Sequence, residues 1–326
     1  MGRGCVAEDT LEGYLSRLCG QPACTVTGLL IGQSSVQKNY VLMAARTPPR
    51  EDSSAASRNS VDKEWVTEHA RQVSRMLPGG LSVIGVFIIN DNDAKDTVAT
   101  LQHLVFAVEN LISSEHLWIP SDDDITDRIA LHINPKTGKT FDVRDPKSTA
   151  KPADWKYSSG VCSSWSTVSC RVDVDMMVSL PDNRTSTEGL SKDLKDERSS
   201  LVIQPCGGSV SVRGAIHSTA LVHNNKPKAR LAEKLLKRDV VSTVVTRVQM
   251  VLEELLISEE EGRSKKETVK GSGPVCVCDY QFSDEDLSEV TDRLTEMLDI
   301  NVAEADLDDT RETPSELMER DFVTGR

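Results

Sequence analysis

The strictest pattern along the chain has a period of two. Val168, Cys170, Val172, Val174, Met176, Val178 and Leu180 alternate with Ser169, Arg171, Asp173, Asp175 and Ser179. Successive side chains of a strand point to opposite faces, so this run predicts a strand with one buried and one wet face. The stretch Val210–Val222 alternates again, with Val210, Val212, Ile216, Ala220 and Val222 on one side. Upstream, the apolar runs Cys24–Ile31 and Tyr40–Ala45 flank polar Gln33–Asn39, which predicts a hairpin. Thr47-Pro48-Pro49 ends its second strand, because proline cannot donate to a ladder and restricts the residue before it. Leu81–Ile89 is apolar on both faces, as interior strands of an α/β sheet are. Ile129–Ile133 and Thr140–Val143 flank a turn carrying Pro135 and Gly138, and Pro274–Tyr280 is a further strand.

A period of 3.6 governs the segments between. Val61–Leu77 is a predicted helix with Trp65, His69, Gln72, Val73 and Met76 near one face, stopped by Pro78-Gly79-Gly80. Asp93–Ile112 follows with the stripe Val98, Leu101, Val105, Val108 and Ile112. A long helix from about Pro227 to Ile257 carries Leu231, Leu235, Arg238, Val241, Val245, Val248, Leu252 and Leu255. Pro227 suits its start, where a missing N–H costs nothing. Ser283–Ile300 is the last helix, opened by a Ser283…Asp286 capping pattern, with Leu287, Val290, Leu294, Met297 and Leu298 apolar.

Each half of the chain therefore reads strand–strand–helix–strand–helix. The expected class is α/β, a mixed sheet with flanking helices in two halves packed together. Residues 1–144 form the first half, and 145–180 a turn-rich connecting segment ending in the long strand. Residues 181–200 form a hydrophilic, disordered linker, 201–300 the second half, and 301–326 a disordered acidic tail. Glu51–Ser60 is a low-complexity loop and Glu259–Lys270 a charged one.

Composition narrows the function. Charged residues make up 27% and aromatics 4% of the 326 residues, which fits folded segments diluted by solvated ones. A formal net charge of −13 opposes nucleic-acid binding, which needs a basic stripe. The nearest candidate, Lys226–Lys228 with Arg230, Lys234, Lys237 and Arg238, reads as the solvated face of a helix. MGRGCVAEDT has no apolar core of a secretory signal, and Val6 stands where N-myristoylation wants Ser or Thr. Leu81–Ile89 is about half the length of a membrane helix, so the chain by itself is expected to be soluble and cytosolic.

Chemistry-bearing residues do not gather. The eight cysteines, at 5, 19, 24, 162, 170, 206, 276 and 278, are irregularly spaced, as reduced cytosolic thiols are. Cys276 and Cys278 read as small apolar residues on one side of a strand. The histidines, at 69, 103, 116, 132, 217 and 223, are scattered. No phosphate loop, nucleophile elbow or metalloprotease motif occurs. Asp122-Asp123-Asp124 reads as a helix start favoured by the helix dipole, and the two Gly-Gly pairs, Gly79-Gly80 and Gly207-Gly208, as punctuation before strands. No residue is assigned to catalysis, a cofactor or a metal. The expectation is a protein that works by binding other proteins. The competing class is a cysteine hydrolase acting on ubiquitin-like conjugates.

Several uncommon strings carry more. TGLLIGQSSVQKNYVLMAARTPPRE, EWVTEHARQVSRMLPGGLSVIGVFII and DVRDPKSTAKPADWKYSSG resemble the odorant-response-abnormal protein 4 family of receptor-trafficking factors. CGGSVSVRGAIHSTALVHNNKPKA, Leu236-Lys237-Arg238-Asp239 and CDYQFSDED are similar to the same family. The resemblance spans roughly residues 10–300. It implies a non-enzymatic adaptor or chaperone for seven-helix receptors on the cytosolic face of the endoplasmic-reticulum membrane. It also implies a partner in the protease that removes a ubiquitin-fold modifier. Family members are expected to end in a membrane-spanning helix, and the sequence up to Arg326 has none. More faintly, the first half resembles the MPN domain, whose active members bind zinc through paired histidines. Ile88 and Asn90 stand at the matching positions, so the resemblance implies an inactive relative.

Overall fold

The computed structural model describes residues 3–20, 25–50, 61–92, 94–116, 118, 121, 124–134, 137–143, 150–180, 208–223, 229–257, 265–270, 275–281, 285–308 and 319–323. In chain order the elements are β1 (Gly4–Glu8), α1 (Thr10–Cys19), β2 (Val26–Ser34), β3 (Lys38–Arg46), α2 (Lys63–Met76), β4 (Ser82–Ile89), α3 (Ala94–Glu115), β5 (Arg128–Asn134) and β6 (Thr137–Val143). They continue with β7 (Lys151–Pro152), β8 (Trp155–Ser158), β9 (Ser166–Leu180), β10 (Gly208–Val222), α4 (Ala229–Ile257), β11 (Lys265–Lys270), β12 (Cys276–Gln281) and α5 (Leu287–Leu298). A single 3-10 turn at Glu304–Asp306, β13 (Leu307–Asp308) and β14 (Glu319–Val323) follow. The class is mixed α/β, with five helices and three sheets among the described residues.

The large sheet has the order β7-β6-β5-β4-β2-β3-β1-β8, with β1 parallel to both neighbours and β4 parallel to β5. Its outermost strands are neighbours in sequence. Pro152 ends β7 and Trp155 begins β8, so three peptide units join them and they lie within about 11 Å. The sheet must therefore curl until its two ends approach. One face packs against α1, whose Leu11, Leu15 and Leu18 meet Cys5, Ala7, Leu30, Val41, Phe87 and Leu131. Ala153 and Trp155, from the strap between the sheet's ends, join that cluster. The other face is covered by α2 and α3, through Val66, Ala70, Val73, Leu101, Leu104, Val105 and Val108. The same cluster continues through β12 and α5 by way of Val277, Val290, Leu294 and Leu298.

Local chemistry accounts for the element ends. Asp62 caps α2 by accepting from the backbone N–H of Trp65. A capping box of Asp286 and Glu289 opens α5, three residues after the pattern read from Ser283. Gly32 is required in β2, since a Cβ there would lie 1.9 Å from the Tyr40 carbonyl oxygen at the bulge.

The long alternating strand forms as expected, but β9 and β10 pair in a sheet of their own, with β14 beyond β10. The long strands β9 and β10 therefore lie outside the large sheet. Four departures from the sequence reading share a cause. The segment Gly4–Cys19 supplies β1 and α1, the turn-rich stretch supplies β7 and β8, the charged loop supplies β11, and the acidic tail supplies β13 and β14. The strands among these are two to six residues long, too short to show a period, and β1, β8 and β14 take their places from partners distant in sequence. The predicted linker over 181–200 and the loop over 51–60 lie outside the described residues.

Helix α4 also departs from its predicted stripe. Over Ala229–Gln249 its buried residues are Asp239, Thr243, Thr246 and Arg247. Asp239 accepts from the Ser218 hydroxyl at 2.6 Å and the Thr219 backbone N–H at 3.1 Å, so a polar contact fixes the helix on β10. Val240, Val244 and Val248 then lie against Ile216 and Val174.

Candidate functional site

The most polar part of the interior is the seam between the large sheet and β10. Gly79 and Ala220 form a parallel bridge, with Gly79 N–H donating to Thr219 O and Leu221 N–H donating to Gly79 O. A Cβ at Gly79 would lie 2.8 Å from Leu235 O, and one at Gly80 would lie 2.1 Å from Leu221 O. Gly80 has φ +85°, which an L side chain rarely adopts. The Gly79-Gly80 pair is thus the point where two sheets and α4 close on one another, beyond the punctuation its sequence suggests.

Gln33 completes the seam. Its amide Nε2 donates to Gly80 O at 2.7 Å and to Leu221 O at 3.0 Å. Its Oε1 accepts from the His223 backbone N–H at 2.8 Å and lies 2.7 Å from His223 Nδ1. This neutral side chain satisfies groups on two elements that would otherwise be buried unpaired.

Above the seam three aromatic rings meet. Tyr40 stacks on His223 with centroids 5.7 Å apart, and Trp165 meets Tyr40 edge-on at 5.7 Å and His223 at 6.4 Å. All three are half-buried. Burial pushes the His223 imidazole below its ordinary pKa, so it is neutral at physiological pH. The β2–β3 turn, which leads into the strand that carries Tyr40, holds Val36, 82% exposed. Half-exposed aromatic rings on a rigid base, with an exposed aliphatic side chain on the turn that leads into one of their strands, form the kind of patch that anchors a protein partner.

The other histidines lie apart from this patch. His69 on α2 is buried, His103 is exposed on α3, and His116 stacks on Trp118 at 4.1 Å. His132 Nε2 lies 3.0 Å from Asn90 Oδ1, and His217 is on β10 opposite Arg171. Cys5, Cys162 and Cys278 are buried, and burial pushes the Cys19 and Cys162 thiols up, away from the thiolate a nucleophile needs. Cys276 and Cys278 sit on β12 as the sequence suggests, while Cys24 and Cys206 lie outside the described residues. Among the described residues no three His, Cys, Asp or Glu side chains converge as a metal site.

Asp124 proves to be an anchor and not a helix start. Its carboxylate takes the Arg238 guanidinium through both oxygens, at 3.0 and 2.6 Å, and Lys234 at 2.7 Å. Part of the basic face of α4 is therefore occupied by the segment after α3, and Arg238 also lies 5.3 Å from the centre of the Trp118 ring. Asp122, Asp123 and Lys226–Lys228 lie outside the described residues.

The aromatic patch was not legible in sequence. Tyr40, Trp165 and His223 are far apart in the chain, and only the strand pairings bring them together.

Comparison with known proteins gives the chain a family. The model described as odorant response abnormal 4-like matches residues 28–201 and 190–309. The odr-4 homologue of Homo sapiens is 36% identical over 98% of this chain and 88% of its own length. That of Gallus gallus is 36% identical over 94% of the chain and 86% of its own. A more distant homologue in Dictyostelium discoideum is 28% identical over 51% of the chain and 39% of its own.

Proposed function

This chain belongs to the odorant response abnormal 4-like family, and from that premise we propose that it is a non-enzymatic adaptor in the folding and trafficking of seven-helix receptors. In this reading it works at the cytosolic face of the endoplasmic reticulum and docks the protease that removes a ubiquitin-fold modifier. The observation that carries the adaptor reading is the half-exposed cluster of Tyr40, Trp165 and His223, held by the Gln33 seam. A rigid aromatic patch loses little entropy on binding and offers large apolar area to a partner, which we take to be the protease.

We read the curled sheet as an MPN-like scaffold that has given up metal chemistry. Ile88 is fully buried in the core, and the Asn90 amide oxygen is engaged by His132 Nε2. The raised Cys19 and Cys162 thiols weigh against the cysteine-hydrolase alternative. Among the described residues no helix is long and apolar enough to cross a membrane.

The test is affinity capture from cell lysate with the whole chain, with and without mild detergent, followed by mass spectrometry. The modifier protease and reticulum receptors are expected among the captured proteins. Val36→Glu and Trp165→Ala should each lower protease recovery by about tenfold or more, as the loss of a central apolar anchor does. Recovery of neither class by a chain shown to be folded would overturn the reading.

A further inference from the structure

The large sheet curls until its ends approach, but the sheet built on β9 does not close. Over its whole length β9 pairs with β10, and among the described residues no strand lies on its other side. The ladder runs from Ser166↔Val222 to Leu180↔Gly208 without a register shift. A strand of 15 residues is about 50 Å long. Exposed edges of this length are ordinarily protected by charged side chains, lysine above all, or by proline, glycine bulges or brevity. The β9 sequence STVSCRVDVDMMVSL contains no proline, lysine or glycine.

We propose that this edge is occupied by a second copy of the chain, in antiparallel pairing about a two-fold axis through Val172. The argument is charge complementarity. Residues of odd number on β9 are exposed over 167–175, and those of even number are half-buried on the side of α4. Two copies that extend one sheet keep these faces in common, so only residues of like parity can lie opposite each other. That leaves few registers. An axis through Arg171 sets Arg171 against itself, one through Asp173 sets Asp173 against itself, and one through Val174 sets Asp173 against Asp175 twice. The axis through Val172 sets Arg171 against the partner's Asp173 and Asp173 against the partner's Arg171, with no like charges opposed.

The side chains are placed for the exchange. Within one chain Arg171 Nε and Asp173 Oδ1 are a loose 3.7 Å apart, and the two side chains are 53% and 87% exposed. On the α4 side the same axis brings Val172 against the partner's Val172 and Cys170 against the partner's Val174, covering residues that α4 leaves half-buried. The result is a continuous six-stranded sheet, β14-β10-β9 and its symmetry mate. The proposal does not depend on the aromatic patch, although Trp165 of that patch immediately precedes β9.

Sedimentation velocity of the full chain over a series of micromolar concentrations tests the proposal. The expected species has twice the 35.8 kDa chain mass. Arg171→Asp alone sets aspartates opposite each other at both pairs, and Asp173→Arg alone sets arginines opposite each other. Each should weaken the dimer by about tenfold or more. Mixing the two variants in equal amounts should restore it, because every opposed pair is then Asp with Arg. Mixing does not rescue a misfolded chain, so restoration separates the pairing from a structural defect. A wild-type chain that stays monomeric, a variant that dimerises as tightly as wild type, or a mixture that fails to re-form the dimer would overturn the proposal.

Discussion

His69 sits where α2, the end of β3 and the last turn of α5 meet. Its Nε2 lies 2.7 Å from Met297 O and its Nδ1 lies 3.2 Å from Thr47 Oγ1. A carbonyl accepts only, so Nε2 carries a proton, and in the neutral ring Nδ1 is left to accept from the hydroxyl. Burial lowers its pKa below the ordinary 6.5, against a smaller opposing effect of the Met297 hydrogen bond. In the unfolded chain the ring takes its proton at the ordinary pKa, so below that value the unfolded state binds more protons and stability falls with pH. His116 and His223 are lowered in the same sense, also chiefly by burial. The melting temperature should therefore drop between about pH 7.5 and about pH 5.5, and His69→Gln should make that drop smaller. His69→Gln should also cost about 1–3 kcal/mol at neutral pH, because Met297 O and Thr47 lose their partner. An unchanged pH slope in the variant would show that His69 is not one of the groups responsible. Such roles are invisible in sequence, where His69 appears only as one polar member of a helical stripe.

Helices and strands with a strong local period were legible, and their contacts were not. The stripe predicted for α2 named His69, Val73 and Met76 correctly, but Val66 and Ala70 are buried where Trp65 was expected, and Trp65 donates its indole N–H to Pro48 O. For α3 the predicted Leu101, Val105 and Val108 are buried. Helix α4 was found in place, yet its inward face carries Asp239, which Ser218 and Thr219 satisfy, and Arg247, whose guanidinium lies 5.8 Å from the centre of the Tyr280 ring. α1 was missed although Leu11, Leu15 and Leu18 have helical spacing, and β1 because a strand of five residues, three of them buried, is too short to show a period. The Asp124 anchor is the element-scale contact most open to test. Burial acts to raise its carboxyl, but Arg238 and Lys234 more than offset this and hold it well below the usual carboxylate range. A depressed acid stabilises the fold above its unfolded pKa, and that contribution is lost as pH falls through the carboxylate range. Asp124→Asn should therefore destabilise by about 1–3 kcal/mol in neutral denaturant titrations, with a gap to wild type that narrows in acid. A gap that is absent at neutral pH, or that widens in acid, would refute the anchor.

At the scale of the molecule, what joins the curled sheet to the β9–β10 sheet and α4 is a narrow seam. Arg75 donates to Gln249 Oε1 at 3.0 Å across α2 and α4, and the shared apolar cluster reaches β10 through Leu221. Between them lies Gln33, whose one side chain meets the Gly80 and Leu221 carbonyls and the His223 amide. Its position just after an apolar run marked it in sequence only as the start of a loop, since nothing local signals a partner 190 residues away. Gln33→Ala removes these bonds and leaves their backbone partners buried. The cost falls on opening of the seam and not on the interior of either sheet. Native-state hydrogen exchange should then show the amides of Gly79, Leu221 and His223 exchanging about tenfold faster or more, while those of Val83–Ile89 and Ile129–Ile133 keep their protection. Acceleration spread evenly over all of these strands would mean that the two sheets open as one cooperative unit. Acceleration confined to the seam would mean that the aromatic patch of Tyr40, Trp165 and His223 rests on a joint able to open while both sheets stay folded.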